Sequence, residues 1–280
     1  MSTTTSIEWT EATWNPTTGC TKVSPGCAHC YIERTPAFRM AGRTFKRGVI
    51  PVQLHRDRLN QPGRWKRPRR VFVNSLSDLF HDDVPDQFLH DVYHVMEHER
   101  QHTFQILTKR PERMCAYLNW RYGGGRIPSR HIWHGVSAEN QHFADQRIGL
   151  LLATRSAVRF VSAEPLLEDI DLTPHLYGAT LAAPGPSGFR PGPRLDWVIV
   201  GGESGPRARP MKPDWVVSVR DQCRAASVPF FFKQWGGVRK ALTGRTLQGR
   251  TYDEFPKIAR TRAPAVRQLT IELQPVSQFA

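Results

Sequence analysis

Short apolar runs alternate along the chain with longer stretches in which apolar residues recur at helical spacing. The first pattern predicts buried strands and the second predicts amphipathic helices. The predicted strands span residues 5–14, 70–74, 103–107, 132–136, 159–162, 195–200 and 229–232. The predicted helices span residues 31–40, 86–100, 111–120, 140–154 and 213–226, with Pro36 interrupting the first. This alternation predicts an α/β fold built as a partial or complete parallel (β/α) barrel.

Polar residues follow almost every predicted strand. Because the carboxyl ends of parallel strands share one face of a barrel, we expect these residues to form one rim. They are Asn74, Ser75, Asp78, Lys109, Ser137, Glu139, Asn140, Glu164, Gly201, Gly202, Glu203 and Lys233. Helix N-capping is an alternative role for each Ser or Asn. Lys109, Glu164 and Lys233 are expected to be catalytic, and Glu203 is expected to belong to the same site.

The chain is long enough to bury one barrel-sized core, with 280 residues of which 39% are hydrophobic. We expect one domain over residues 1–256, a Pro/Gly-rich excursion near 174–193, and a tail at 257–280. No apolar run reaches membrane-spanning length. The cysteine count is odd, at five, and no apolar signal segment is present at the N-terminus, so a disulfide framework is disfavoured. We therefore expect a reducing cytoplasm.

The net charge of +14 points to a polyanionic partner, most simply nucleic acid. The excess is concentrated in residues 34–70, the basic segment, which holds twelve basic residues and one acidic residue. Phe45 and Trp65 lie among these cations and would suit base stacking. A solvated basic face is the alternative interpretation.

Three of the cysteines, Cys20, Cys27 and Cys30, form a C-x6-C-x2-C pattern near the N-terminus. Three thiolates can hold three irons of a [4Fe–4S] cube and leave the fourth iron open to a small ligand. A structural zinc site, with His29 or another histidine as the fourth ligand, is the alternative.

Three motifs carry a resemblance to a known family. Residues 14–20 (WNPTTGC), 27–31 (CAHCY) and 201–205 (GGESG) resemble a phage- and prophage-associated three-Cys-motif family of radical-SAM-like proteins. These belong to the radical S-adenosylmethionine (SAM) superfamily and are distantly similar to spore photoproduct lyase. The resemblance spans roughly residues 5–256, and residues 249–256 match the family's end motif.

The resemblance implies a barrel of the radical SAM type that carries a [4Fe–4S] cluster and SAM. The three cysteines would be the metal ligands, and His29 would contact the cofactor. The stretch with Asn74, Ser75 and Asp78 stands where the superfamily binds the SAM amine. Ser137, Glu139 and Asn140 would bind the ribose or carboxylate. The strand ending at Gly201, Gly202 and Glu203 resembles the one that passes under the adenine.

The expected function is reductive cleavage of SAM followed by modification or rearrangement of a nucleobase or nucleotide, as in hypermodified phage DNA. An external one-electron donor and nucleic acid would be the partners, without a membrane, in the cytoplasm of a host bacterium. One alternative is a non-catalytic, metal-bearing nucleic-acid-binding protein. Another is a DNA repair lyase or nuclease that binds Mg²⁺ through carboxylates at Asp78, Asp82, Asp83, Glu164 and Glu203.

Overall fold

In the computed structural model of this chain, the structure describes residues 5–178, 180–182 and 189–257. The strands are β1 (Ala12–Trp14), β2 (Thr17–Thr21), β3 (Val49–Leu54), β4 (Arg70–Val73), β5 (Thr103–Thr108), β6 (Ile132–Ser137), β7 (Arg159–Ala163), β8 (Thr180–Ala182), β9 (Phe189–Pro191), β10 (Trp197–Gly201) and β11 (Phe230–Gln234). The helices are α1 (Pro36–Met40), α2 (Asp86–His98), α3 (Pro111–Arg121), α4 (Gln141–Ala153), α5 (Thr173–Leu176), α6 (Pro213–Ala225) and α7 (Lys240–Thr243).

Seven of the strands form one parallel sheet in the order β1-β4-β5-β6-β7-β10-β11. Val71 on β4, for example, pairs with Ala12 on β1 and with Phe104 on β5. Among the described residues, no ladder joins β1 to β11, so the sheet is a half-barrel. The predicted α/β fold with a partial parallel barrel is confirmed.

Alternate residues of each strand bury opposite faces of the sheet, as the strand period of two requires. On the convex face, Val71 and Val73 pack in the core that the helices cover. On the concave face, Phe72, Phe160 and Trp197 pack in a separate aromatic cluster. This aromatic layer, which we call the aromatic floor, fills the inside of the half-barrel, so a ligand on the concave face would have to lie above it.

The predicted first strand, at residues 5–14, is shorter in the structure because only Ala12–Trp14 pairs with β4. Trp9 instead packs into the concave cluster, with its ring centroid 4.6 Å from that of Phe72. The predicted interruption at Pro36 is confirmed. A 3-10 helix covers Tyr31–Arg34, and Pro36 occupies the first turn of α1.

The Pro/Gly-rich excursion contains part of α5 and an antiparallel pair formed by β8 and β9. Of the predicted tail, residues 258–280 lie outside the described residues, and the tail stays a prediction. None of the helices in the described residues combines the length and apolar character that crossing a bilayer requires.

One element that the sequence did not predict is an antiparallel hairpin of β2 and β3. Gly19 lies within β2 at φ +100°, a conformation that side chains rarely adopt. A Cβ atom at Gly19 would come 2.1 Å from the carbonyl oxygen of Pro51. Glycine therefore permits the close approach of the two strands next to Cys20.

The outer edge of β11 is covered by the chain that follows it. Phe232 N–H donates to the carbonyl of Tyr252 at 3.0 Å, and Phe231 forms an antiparallel bridge with Asp253. At the other edge of the sheet, β1 has only three residues. Both edges of the sheet thus offer few free backbone groups for pairing.

Candidate functional site

The three clustered cysteines lie at the carboxyl-terminal end of the half-barrel. Cys20 is on β2, Cys27 ends a 3-10 turn, and Cys30 precedes a 3-10 helix. All three are free, half-buried thiols. The Gly19 N–H donates to the Leu76 carbonyl beyond the end of β4, which fixes the hairpin over the strand ends.

Burial opposes ionisation of these thiols. Burial and the nearby Asp78 carboxylate raise the pKa of Cys20 to about 12, and burial also raises the pKa of Cys30. A set of thiolates here would need a positively charged partner. In the part of the chain that the structure describes, no group of three or more His, Cys, Asp or Glu side chains is placed to hold a metal ion.

Glu139 anchors the cysteine loop, residues 20–30, to the end of β6. Its Oε1 accepts a hydrogen bond from Gly26 N–H at 3.1 Å, and its Oε2 lies 2.9 Å from Arg147 Nη1. The Glu139 and Arg147 side chains are 0% and 3% exposed. Burial raises the pKa of Glu139, but the charges of Lys109 and Arg147 outweigh this effect, so the pKa is lowered. This carboxylate is ionised and fully occupied within the protein.

Glu203 forms a second anchor beyond β10. Its Oε2 lies 3.0 Å from His29 Nδ1, which is in position to donate, and Arg209 Nη2 lies 2.6 Å from its Oε1. The same guanidinium group donates to the Pro25 carbonyl at 2.9 Å. Both His29 and Arg209 therefore join the cysteine loop to this strand end.

These contacts predict a pH dependence of folding. Burial raises the pKa of Glu203, but hydrogen bonds from Arg209 and His29 outweigh this effect and lower the pKa from 4.5 to about 2. The stabilisation should be fully present above pH 4.5 and should be lost as the pH falls through 2. In Glu203→Gln, the free energy of unfolding is expected to decline less steeply between these pH values than in the wild type. Urea unfolding at several pH values would measure this, and parallel curves for the two proteins would contradict it.

Asp78 organises the end of β4 and its neighbour β5. It accepts hydrogen bonds from Thr108 Oγ1 at 2.7 Å and from the Lys109 backbone N–H at 2.9 Å. Its Oδ2 also lies 3.2 Å from Arg110 Nη1, which is 4.0 Å from Cys20 Sγ. Arg110 therefore places a positive charge beside the first cysteine.

The residues at the end of β4 also hold the cysteine hairpin. Asn74 Nδ2 donates to Thr17 Oγ1 at 2.7 Å, and Ser75 Oγ bonds with the side chain of Asn15. The Tyr31 hydroxyl donates to the Ser75 carbonyl. The Tyr31 residue is 45% exposed, but its hydroxyl group is enclosed. This enclosure, the Cys30 thiol and the Glu164 carboxylate raise the pKa of Tyr31. The end of β4 and Glu164 are therefore close to the cysteine loop.

The concave face above the aromatic floor carries a polar cluster. Ser162 and Glu164 follow the floor residue Phe160 at two-residue steps and so face the same side, and Asn74 directly follows β4. Glu164 Oε2 lies 2.6 Å from Lys233 Nζ. Within the described residues, Asn74 Oδ1, Ser162 Oγ and Glu164 Oε1 are buried without a hydrogen-bond partner. Since buried polar atoms are normally paired, this cluster is suited to a polar ligand.

The remaining rim residues serve the protein's own packing. Ser137 is buried, and its carbonyl accepts a hydrogen bond from Arg147. A Cβ atom at Gly201 would lie 3.2 Å from the Glu164 carboxyl carbon, and one at Gly202 would lie 2.0 Å from the Trp235 carbonyl oxygen. Both glycines therefore permit close approach of protein atoms, whereas the predicted approach of an adenine ring stays a prediction.

Asn140 is the N-cap of α4, the alternative role that the sequence left open. Its Oδ1 accepts a hydrogen bond from Phe143 N–H at 3.0 Å. Asn140→Ala is therefore expected to lower the free energy of unfolding by about 1 kcal/mol. Chemical unfolding would measure this loss. A conservative Asn140→Ser variant, which restores a capping oxygen, should recover most of it, and equal losses in both variants would contradict the cap.

Sequence reasoning gave no role to three arginines of the site. Arg110, Arg147 and Arg209 each bind an acidic rim residue. A buried arginine has no signature in a single sequence, since arginine is ordinarily a surface residue. The one available signal was that Arg147 lies on the predicted helix after Glu139, eight positions on.

The basic segment is only partly free for a ligand. Arg34 donates to the Ser204 carbonyl, and Arg56 is paired with Asp91. Trp65 is buried in the core, so its predicted role in base stacking is wrong. Phe45 is half-buried under the ammonium group of Lys22. The exposed cations are Arg39, Lys46, Arg47, Arg64, Lys66 and Arg67, together with the paired Arg34 and Arg56.

Comparison with known families gives one match. A family model described as "Protein of unknown function (DUF5131)" matches residues 4–256. No curated protein and no solved structure matches the chain.

Proposed function

We propose that this chain, which belongs to the DUF5131 family of proteins of unknown function, is a radical SAM enzyme with a half-barrel of the radical SAM type. Cys20, Cys27 and Cys30 would hold three irons of a [4Fe–4S] cluster, and the fourth iron would bind SAM. The substrate would be a nucleobase or nucleotide, with phage DNA as its source.

One observation carries the proposal. The cysteine loop is fastened across the carboxyl-terminal end of the half-barrel, next to a concave face where three buried polar atoms lack partners. Parallel barrels bind their ligands at this end, where loops from many strands meet. A thiol loop beside an unsatisfied polar cluster is the arrangement that a metal-bound small ligand requires.

The donor set has the number of thiols that an open [4Fe–4S] cube needs. Cys20, Cys27 and Cys30 are free and half-buried, and each would bind a different iron. Zinc remains the alternative metal, with His29 held by Glu203 through Nδ1.

When bound, the cluster would supply the electron, taken from an external donor, that cleaves SAM to methionine and a 5′-deoxyadenosyl radical. The chain's own residues would position the ligands. Glu164 Oε1 and Asn74 Oδ1 are free to accept hydrogen bonds from an amine or a hydroxyl group. Lys233 Nζ holds the Glu164 carboxylate in place at 2.6 Å. The aromatic floor would exclude water from below.

A nucleobase suits an open half-barrel. A base within a polymer must leave its stack to reach a recessed site, and a gap between β1 and β11 would leave room for the attached backbone. The exposed cations of the basic segment, such as Arg39 and Arg47, would contact its phosphates.

The nuclease alternative has less support. Two of its five carboxylates are already engaged, since Asp78 is paired with Arg110 and Glu203 with Arg209.

Anaerobic purification tests the proposal. We expect iron and sulfide in equal amounts, as in a [4Fe–4S] cube. After reduction, electron paramagnetic resonance should show a cluster signal, and this signal should change when SAM is added. Addition of SAM and a reductant should yield 5′-deoxyadenosine. Stoichiometric zinc, with no iron after reconstitution, would refute the proposal.

A further inference from the structure

A groove with a volume of about 1130 Å³ lies at the end of the sheet opposite the cysteine loop. Val158, Asp196 and Pro229 line it and immediately precede β7, β10 and β11. In a parallel sheet the amino ends of the strands share one side, away from the carboxyl ends. The groove is therefore separate from the concave polar cluster.

The wall of this groove is strongly basic. Its six cations are Arg130, Arg194, Arg220, Arg224, Arg250 and Lys257, against the two acids Asp196 and Glu254. All of the cations except Arg220 are exposed. Arg220 is neutralised by Asp221 outside the groove.

The two acids are turned to the protein backbone. Asp196 Oδ2 accepts a hydrogen bond from Arg159 N–H at 2.8 Å, and Glu254 Oε2 accepts one from Phe230 N–H at 3.0 Å. Neither forms a close ion pair with a cation of the groove within the described residues. The positive charge of the groove is thus available to a ligand from outside.

We infer that this groove binds single-stranded nucleic acid, with its arginines on the phosphates. The planar guanidinium fork matches phosphate oxygens, and four of the five exposed cations are arginines. Tyr252 and Phe255 line the same groove and are half-buried. Arg250 and Arg70 lie over their rings, 4.4 Å and 4.2 Å from the ring centroids, so a bound base would stack on these guanidinium planes rather than on the rings. A membrane surface would call for a protruding patch, whereas these cations surround a concavity.

The basic surface continues beyond the groove. The Arg70 guanidinium carbon lies 4.2 Å from the ring centroid of Phe255, a groove residue. Arg64, Lys66 and Arg67 are exposed and lie in the segment that leads into β4, so they are near the same end of the sheet. A strand bound in the groove can therefore extend over the second half of the basic segment.

The test is fluorescence anisotropy with the full chain and a labelled oligothymidylate of about 15 nucleotides, a length that spans a typical single-strand site. Arg194→Glu/Arg224→Glu is expected to weaken binding tenfold or more at about 0.1 M salt. The slope of log affinity against log salt should fall by about 1.4, since each lost phosphate contact contributes about 0.7. Arg224→Gln alone should lower the slope by about 0.7.

The matched control is Lys212→Glu/Arg239→Glu, which makes the same change in charge at two exposed positions on the carboxyl-terminal side. The affinity of this control variant for the oligonucleotide should lie within about twofold of the affinity of the wild type. Equal losses in both double variants, no loss in either, or no binding by the wild type would overturn the inference. Equal or tighter binding to polyglutamate or to anionic vesicles would overturn it too.

The measurement needs no cluster. Protein that takes up no iron on anaerobic reconstitution but binds the oligonucleotide through Arg194 and Arg224 would refute the proposed radical chemistry and leave the groove assignment intact. An iron-loaded protein that fails to bind the oligonucleotide would refute the groove assignment and leave the proposed radical chemistry intact.

Discussion

Cys30→Ser protein, purified and reconstituted without oxygen, is expected to lose essentially all of its iron together with its affinity for SAM. Serine occupies the same space but provides no soft thiolate for iron. With one of three ligands missing, the cube would have two open irons and would not be retained. SAM affinity should disappear with it, because the amine and carboxylate of SAM would have no iron to bind. Iron and sulfide analysis, with equilibrium binding of radiolabelled SAM, would measure both losses.

Cys115→Ser is the matched control for this substitution. Cys115 is another half-buried free thiol, but it lies on α3 and accepts a hydrogen bond from Asn119 Nδ2 at 3.3 Å. Its replacement should leave iron content and SAM affinity unchanged. If Cys30→Ser is folded by circular dichroism and keeps the iron content of Cys115→Ser, the assignment of the cluster ligands is wrong.

Arg147→Ala is expected to lower the free energy of unfolding by about 3–5 kcal/mol. The substitution leaves the Glu139 carboxylate buried without its charge partner, and an unpaired buried charge is strongly destabilising. The effect should extend to function, since Glu139 also accepts the Gly26 N–H of the cysteine loop. Urea unfolding of the wild type and the variant would measure the change in stability.

Two further variants make this prediction specific. Asp221→Ala breaks a surface pair in which the carboxylate is 53% exposed, and it should change stability by no more than about 1 kcal/mol. Glu139→Gln/Arg147→Met removes both buried charges, and it should recover much of the loss seen in Arg147→Ala. A loss in Arg147→Ala no larger than that in Asp221→Ala would contradict the buried pair.

The regular part of the fold was predictable because its strands are buried on both faces. Residues 103–107 and 132–136 were predicted as strands, and β5 and β6 extend each by one residue. Strands covered by helices on one side and by an aromatic floor on the other consist mostly of apolar residues. Their order along the chain then specified a parallel sheet.

The hairpin of β2 and β3 was not predictable in the same way. Its strands are separated by 27 residues of chain, and β2 reads Thr-Thr-Gly-Cys-Thr without an apolar run. The hairpin is fixed by contacts with distant residues, such as that between Asn74 and Thr17. Such tertiary contacts have no local signature.

At the candidate site, the sequence predicted which residues lie at the strand ends but not the bonds that their side chains make. The predicted ligand-binding residues Glu139 and Glu203 fasten the cysteine loop, and Asn140 caps a helix. Their partners Arg147 and Arg209 are long side chains whose direction depends on packing. Conversely, Glu164 and Lys233 do meet on the concave face, as residues at the ends of β7 and β11 should.

The covered edge of β11 affects how the protein behaves in concentrated solution. Phe230, Phe231 and Phe232 form an uncharged aromatic run of high strand propensity, the composition typical of cross-β aggregation. In the described part of the chain, a short pairing with Tyr252, Asp253 and Glu254 separates the outer edge of this run from another chain. Detachment of this pairing would expose a template for self-association without unfolding the rest of the sheet. Proteolysis just before Tyr252 should therefore shorten the time that the protein remains monodisperse in storage.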